Sequence, residues 1–213
     1  MNATKTVTPL DRLKLARSGP EIESPVWAGI DQSGTGEALG PLVVVMVHMT
    51  PGHKIPPIRE CKKASSRDYA IVQELLASGV IEYRSIEISP SIIDEYNVKN
   101  LITEAQRRLL ARLSGMVYID CHWVDETGLK NQLQKYCSAQ LIVKNHLDVQ
   151  NSLVAAASLI AKKIRTQRLY QIEALVDRKI GSGNLTDPQT IAYLRSGMTI
   201  GLRKKWSLKS IGL

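Results

Sequence analysis

Phenylalanine is absent from this 213-residue chain, and aromatic residues make up only 5% of it. Three cysteines, Cys61, Cys121 and Cys137, form no C-x-x-C pair. That argues against a disulfide framework or a zinc knuckle and favours a reducing compartment, with the cytoplasm as the expected location. No run approaches the roughly 18 to 20 uncharged apolar residues of a spanning helix, so no membrane partner is expected. The first 20 residues hold no continuous apolar stretch ahead of a cleavage site, so no secretory signal is expected either. No internal repeat and no low-complexity block interrupts the chain. Acidic residues stop at Asp187, while Arg195, Arg203, Lys204, Lys205 and Lys209 continue beyond it.

What is present is ordinary for a globular protein: 44% hydrophobic and 23% charged residues. The length suits one α/β domain, or a domain with a small lobe, and a monomer is expected. The charge is uneven. Residues 1–129 hold 14 basic and 16 acidic side chains, whereas residues 130–213 hold 14 basic and 4 acidic. Such a basic half suits a polyanionic partner, because each Lys or Arg near a phosphate releases condensed counterions. Lys162, Lys163, Arg165, Arg203, Lys204 and Lys205 are the candidate contacts; the competing reading is a solvated basic face. Trp206 either packs the tail onto the domain or stacks on a base.

Residues 1–25 read as an N-terminal arm or short helix, with Gly19-Pro20 and Ser24-Pro25 as breakers. Residues 26–180 form the main domain, and 181–213 a helical, basic C-terminal segment ending in a loose tail. Val26–Asp31 and Pro41–His48 read as two strands of one hairpin around a glycine-rich turn. A helix opens at Ser65 and closes at Gly79, and a strand covers Val80 to Ile88. Helix follows from Ser91 to Leu113, in two pieces about Asn97, stopping at Gly115. Met116–Asp120 is a strand, Asp125 caps a helix to Tyr136, and Gln140–Val143 is a short strand. Asn151 or Ser152 caps an Ala-rich helix, and a last helix runs from Pro188 to Arg195.

Asp31 and Asp120 each end an apolar strand, and Asp148 stands just before a helix. Strand ends gather at one sheet edge with neighbours ~5 Å apart, so these carboxylates could share divalent cations. Hard ions such as Mg²⁺ prefer oxygen ligands and suit phosphate chemistry. Asp is also common at strand-ending turns, and that reading stays open on spacing alone.

The stretch Gly29-Ile30-Asp31-Gln32-Ser33-Gly34-Thr35-Gly36-Glu37-Ala38-Leu39-Gly40-Pro41 resembles the opening signature of the type 2 ribonucleases H, G-I-D-E-A-G-R-G-x-x-x-G-P. Its Gly-Thr-Gly version is similar to the type 3 branch. Glu60-Cys61-Lys62-Lys63 resembles the family's D-S-K-K, and Val117–Asp120 its central strand. Asp148, followed by Ala155-Ala156-Ala157-Ser158-Leu159-Ile160-Ala161-Lys162, is similar to its K-A-D and A-A-S-I-x-A-K. Gly181-Ser182-Gly183-Asn184-Leu185-Thr186-Asp187-Pro188 resembles G-S-G-Y-P-S-D-P of archaeal and eukaryotic members.

The resemblance implies a ribonuclease H-like α/β fold: a mixed central sheet flanked by helices, with a small helical C-terminal lobe. It implies two-metal hydrolysis, with Mg²⁺ or Mn²⁺, of RNA in RNA–DNA hybrids or at ribonucleotides in duplex DNA. Asp31, Asp120 and Asp148 fall on its metal-binding carboxylates. Gly34, Thr35 and Gly36 fall where backbone approaches the 2′-hydroxyl, and Lys62 and Lys63 on phosphate contacts. Two positions depart from the pattern. Gln32 replaces the second catalytic carboxylate, and Asn184 replaces a substrate-positioning Tyr. Glu37 is a candidate replacement metal ligand, or else an exposed loop acid. His122 and His146 read as loop and surface residues, and Arg67 and Asp68 restore neither loss. Three readings follow: an endonuclease of weakened activity, an inactive homologue that binds nucleic acid, or an interaction subunit without a nucleic-acid role.

Overall fold

Every residue of Leu42–Met49 is buried, which marks this β-branched segment as the centre of the fold. A computed structural model describes residues 14–18, 22, 25–121 and 125–204. Its strands are β1 (Lys14–Ser18), β2 (Val26–Ser33), β3 (Leu42–Met49), β4 (Glu82–Ile88), β5 (Gly115–Asp120) and β6 (Gln140–Lys144). They form one mixed sheet in the order β1-β4-β3-β2-β5-β6. The hairpin expected around the glycine turn is there: β2 and β3 are antiparallel, with Gln32 opposite Val44. On the other side β5 runs parallel to β2, and β6 parallel to β5. Part of the expected N-terminal arm is sheet, not helix. Lys14–Ser18 pairs antiparallel with β4 and covers an edge that would otherwise expose unpaired backbone.

The helices are α1 (Ser66–Ala77), α2 (Pro90–Glu95), α3 (Val98–Leu110), α4 (Glu126–Leu133), α5 (Ser152–Val176) and α6 (Pro188–Arg195). The break at Asn97 is real, since its side chain accepts from the Lys99 N–H and caps α3. That helix ends at Leu110, before the expected Leu113. Gly115, at φ +102°, opens β5 instead of closing the helix. Helix α4 ends at Leu133, and a 3₁₀ turn carries the chain on to Tyr136.

Alternation along the strands divides the core. Leu42, Val44 and Met46 pack with Ala28, Ile30 and Ile119 under α3 and α4. Val43, Val45 and Val47 pack against Ala155, Ala156, Ala157 and Ala161 of α5. Four alanines make a flat surface, so a long helix lies close on the sheet. A third cluster joins Ala38 and Leu39 of the glycine loop to Leu169, Ile180, Tyr193 and Leu194. The C-terminal segment therefore packs onto the loop between β2 and β3. Leu39 forms a bridge with Leu202. Among the described residues no helix is long and apolar enough to cross a membrane.

Candidate active site

The parallel strands β2, β5 and β6 end at the same sheet edge, and their register decides what meets there. Ile30 pairs with Ile119, so Asp31 and Asp120, one residue on, are neighbours across strands about 4.8 Å apart. Ala28 and Ile30 face the α3 cluster, which turns Gly29 and Asp31 toward α5. Gly29 is required at its position. A Cβ there would come within 2.4 Å of the Leu153 and Val154 backbone, so only glycine admits the start of α5. Asn151 caps that helix by accepting from the Leu153 and Val154 N–H groups. Asp148 arrives on the 3₁₀ turn Leu147–Val149. The Leu147 N–H anchors this turn by donating to Asp120 Oδ1 at 2.6 Å.

Asp31, Asp120 and Asp148 thus line one cleft of about 460 Å³. Gln32, Gly34, Thr35, Glu37 and Lys62 line the same cleft. Asp31 and Asp120 are buried and Asp148 is half-buried. Gln32 does not stand apart as a spare ligand. Its backbone N–H and its Nε2 both donate to Asp31 Oδ1, at 2.7 and 3.0 Å. The amide thus compensates part of the Asp31 charge and fixes the carboxylate's direction. All the acidic donors are hard oxygens, the type a divalent cation takes. Among the described residues, however, no three His, Cys, Asp or Glu side chains form a group ready to hold a metal ion. Asp31 and Asp120 each accept from a backbone N–H, that of Gln32 and that of Leu147.

The glycine loop is held from outside. Gly34 has φ +98°, and a Cβ there would lie 2.5 Å from the Pro41 carbonyl oxygen. Arg203 Nη1 donates to the Gly34 carbonyl at 2.7 Å, and its Nε to that of Gly40 at 2.9 Å. Arg165 Nη2 donates to the Leu39 carbonyl and Nη1 to that of Ser182. Arg203 is 0% exposed and Arg165 7%, so neither is a phosphate contact and the tail is not loose at Arg203. Sequence could not show that each guanidinium group donates to two backbone carbonyls. Burial lowers both pKa values, Arg203 to about 10, while the Glu37 carboxylate opposes the fall. Glu37 lies 4.0 Å from Arg165 Nη1 and accepts from the Gly36 N–H. It lines the cleft, but as the counter-charge of the buried arginines.

A second clamp sets Lys62. Asp68, three residues after the α1 cap Ser65, accepts from the Ser65 N–H and from Arg59 Nε and Nη2. The Arg59 guanidinium holds the Asp68 carboxyl well below the usual carboxylate range. These bonds tie off the loop that carries Lys62 to the cleft. Lys63 does not line the cleft itself but pairs with Glu60, which does, at 3.3 Å. Asn184 is exposed outside this cleft, and its Oδ1 accepts from the Thr186 N–H. Gly36 is exposed on the loop. His146, exposed and at φ +57°, lines the cleft, as do Glu60, Asn145 and Ser158, which sequence reasoning left without a role there. Glu60 and Ser158 stand inside the quoted motif blocks, whereas Asn145 and His146 are only near one. His122, Lys205, Trp206 and Lys209 lie outside the described residues.

The model of the family described as "Ribonuclease HII" matches residues 28–209, which span every element of this cleft. The chain belongs to the ribonuclease HII family. Ribonuclease HII of Caldivirga maquilingensis is 28% identical over 191 residues, covering 84% of this chain and 90% of the relative. That of Archaeoglobus fulgidus is 27% identical over 198 residues, covering 86% and 94%. Among solved structures, a PCNA:RNase HII complex from A. fulgidus matches at TM-score 0.73 and 24% identity, covering 86% of this chain and 96% of that one. Ribonuclease H2 of Pyrococcus horikoshii OT3 matches at 0.72 and 22%, covering 86% and 94%. A Bst-RNase HIII structure in complex with Mn²⁺ matches at 0.54 and 15%, covering 74% and 57%. These likenesses carry the ribonuclease H-like fold expected from the sequence. The ribonuclease HII chain is thus a type 2 ribonuclease H-like protein on a mixed α/β sheet.

Proposed function

We propose that this ribonuclease HII chain is an endonuclease of reduced activity that acts on RNA in RNA–DNA hybrids or at a ribonucleotide in duplex DNA. The observation that carries this reading is the convergence of Asp31, Asp120 and Asp148 beside the Gly34–Gly36 loop, with Gln32 bonded to Asp31. Those three aspartates are the residues that would hold a divalent cation. Bound there, Mg²⁺ or Mn²⁺ would lower the pKa of an attacking water and neutralise charge on the scissile phosphate. The chain's own groups do the rest. Lys62 supplies a positive charge for the neighbouring phosphate. The backbone of Gly34, Thr35 and Gly36 approaches the 2′-hydroxyl, the one group that separates RNA from DNA. Arg203 holds that backbone through the Gly34 carbonyl, and Arg165 holds the end of the same loop through that of Leu39. Gln32 orients Asp31 but contributes no charge, so a second cation is held weakly.

The deciding experiment is cleavage of a duplex containing one ribonucleotide, with Mg²⁺ and with Mn²⁺, by the native chain and by Asp120→Asn. Slow cleavage that Asp120→Asn abolishes is the expected result. Tight binding of that duplex without any cleavage in either metal would make the protein a silent binder instead.

A further inference from the structure

A second groove of about 660 Å³ runs on from the carboxylate cleft, sharing Ser33, Glu37 and Cys61 with it. Its floor is the face of α5 that carries Lys162, Thr166 and Tyr170, each four residues from the next and so on one helical stripe. Tyr170 is 61% exposed, an unusual position for a large ring in a chain with so few aromatics. The acids that line the groove are already matched. Glu173 accepts from Lys179 at 3.1 Å and from the Ile180 N–H. Asp187 accepts from the Ser182 and Gln189 N–H groups, and Glu37 faces Arg165. Exposed Lys162 forms no ion pair among the described residues, so the stripe offers a cation and then an aromatic face.

We propose that this groove binds a short single-stranded extension of the duplex in the cleft, with one base on Tyr170 and a phosphate about three nucleotides away at Lys162. The inference rests on the nucleic-acid reading of the cleft and goes beyond it. A ring face cannot stack on a base inside a continuous helix, where both base faces are covered, but can stack on one in a single-stranded extension. Eight residues of helix separate Lys162 from Tyr170, about 12 Å at 1.5 Å per residue. That is the length of about three to four stacked nucleotides at 3.4 Å each.

The test compares hybrid duplexes that are blunt, or that carry a short single-stranded 5′ or 3′ extension, by fluorescence anisotropy. The native chain should prefer one extension over the blunt duplex by about tenfold, the scale of one base stacked on an aromatic ring. Tyr170→Ala should abolish that preference and leave blunt-duplex affinity unchanged, whereas Tyr170→Phe should keep it. A 2-aminopurine in the extension should be quenched by the native chain and not by Tyr170→Ala. Equal affinity of the native chain for blunt and extended duplexes, or a preference that survives Tyr170→Ala, overturns the proposal while the reading of the cleft stands. No binding to any of the duplexes would overturn both.

Discussion

At Gln32 an amide does two things to Asp31 that a carboxylate would not. It donates a hydrogen bond, and it adds no charge for a cation to balance. Gln32→Glu should therefore raise both the affinity for Mg²⁺, followed by titration calorimetry, and the rate of cleavage at a ribonucleotide. An ionised oxygen binds Mg²⁺ more strongly than an amide oxygen in the same place. Unchanged metal affinity would show that lost charge is not what limits the site. A second residue governs stability away from the cleft. Burial and then the Arg84 guanidinium push the His48 imidazole down to about 4. Between the ordinary imidazole value of about 6.5 and that value, the unfolded chain takes up a proton that the folded chain refuses. The contribution is thus fully present above pH 6.5 and is lost as pH falls toward 4, a total of about 3 kcal/mol. Urea unfolding at pH 7.5, 5.5 and 4.5 should show this fall, and His48→Gln should flatten it.

Among the elements, the glycine loop and the C-terminal segment depend on each other. Arg203 closes two loop carbonyls, its N–H donates to Ala38, and Gly183 accepts from the Ala38 and Leu39 N–H groups. Arg203→Ala would leave two buried carbonyls unmatched, at a cost of about 2–4 kcal/mol. It should also weaken discrimination of a ribonucleotide from a deoxynucleotide, because Gly34 is one of the two carbonyls it holds. Thermal unfolding and paired cleavage assays at a temperature where the variant is folded separate the two effects. Helix α5 makes the complementary case. Gly29→Ala would push its first turn off the sheet, a cost of about 1–3 kcal/mol for overpacking. The same shift moves Asn151 and the turn that carries Asp148. Cleavage should fall further than stability alone accounts for, measured against native protein destabilised equally by urea.

For the whole molecule, the basic half is less available to a phosphate backbone than its count suggests. Arg165 and Arg203 are spent on carbonyls, Arg168 pairs with Glu87 at 2.6 Å, and Lys179 pairs with Glu173. Lys162, Lys163, Arg195 and Lys204 are among the residues of that half that stay exposed, and Lys62 stands exposed at the cleft. Binding to a duplex that carries a single-stranded extension should weaken with salt at a slope of about −0.9 per phosphate contact, and Lys162→Gln should make that slope shallower by about one. Titrations at several salt concentrations measure it; an unchanged slope would take Lys162 off the phosphate path.

Much of this protein was legible without coordinates, and for a local reason. The β-branched run of β3, the capping residues Asn97 and Asn151, and the acids Asp31, near the end of β2, and Asp120, at the end of β5, act through neighbours in sequence. Their pattern therefore carries the hairpin, the helix starts and the site's principal acids. What the pattern leaves open depends on partners far along the chain. Strand β1 exists because β4 offers it a free edge, 71 residues on at the Leu15–Ile86 pair. Arg165 and Arg203 looked like phosphate ligands until the fold buried them against carbonyls 126 and 169 residues away. Gln32 looked like a missing charge, and only the folded site shows its amide donating to Asp31. A charged side chain's role is set by what is left to pair with it once the chain has closed, and for these residues only the tertiary structure decides that.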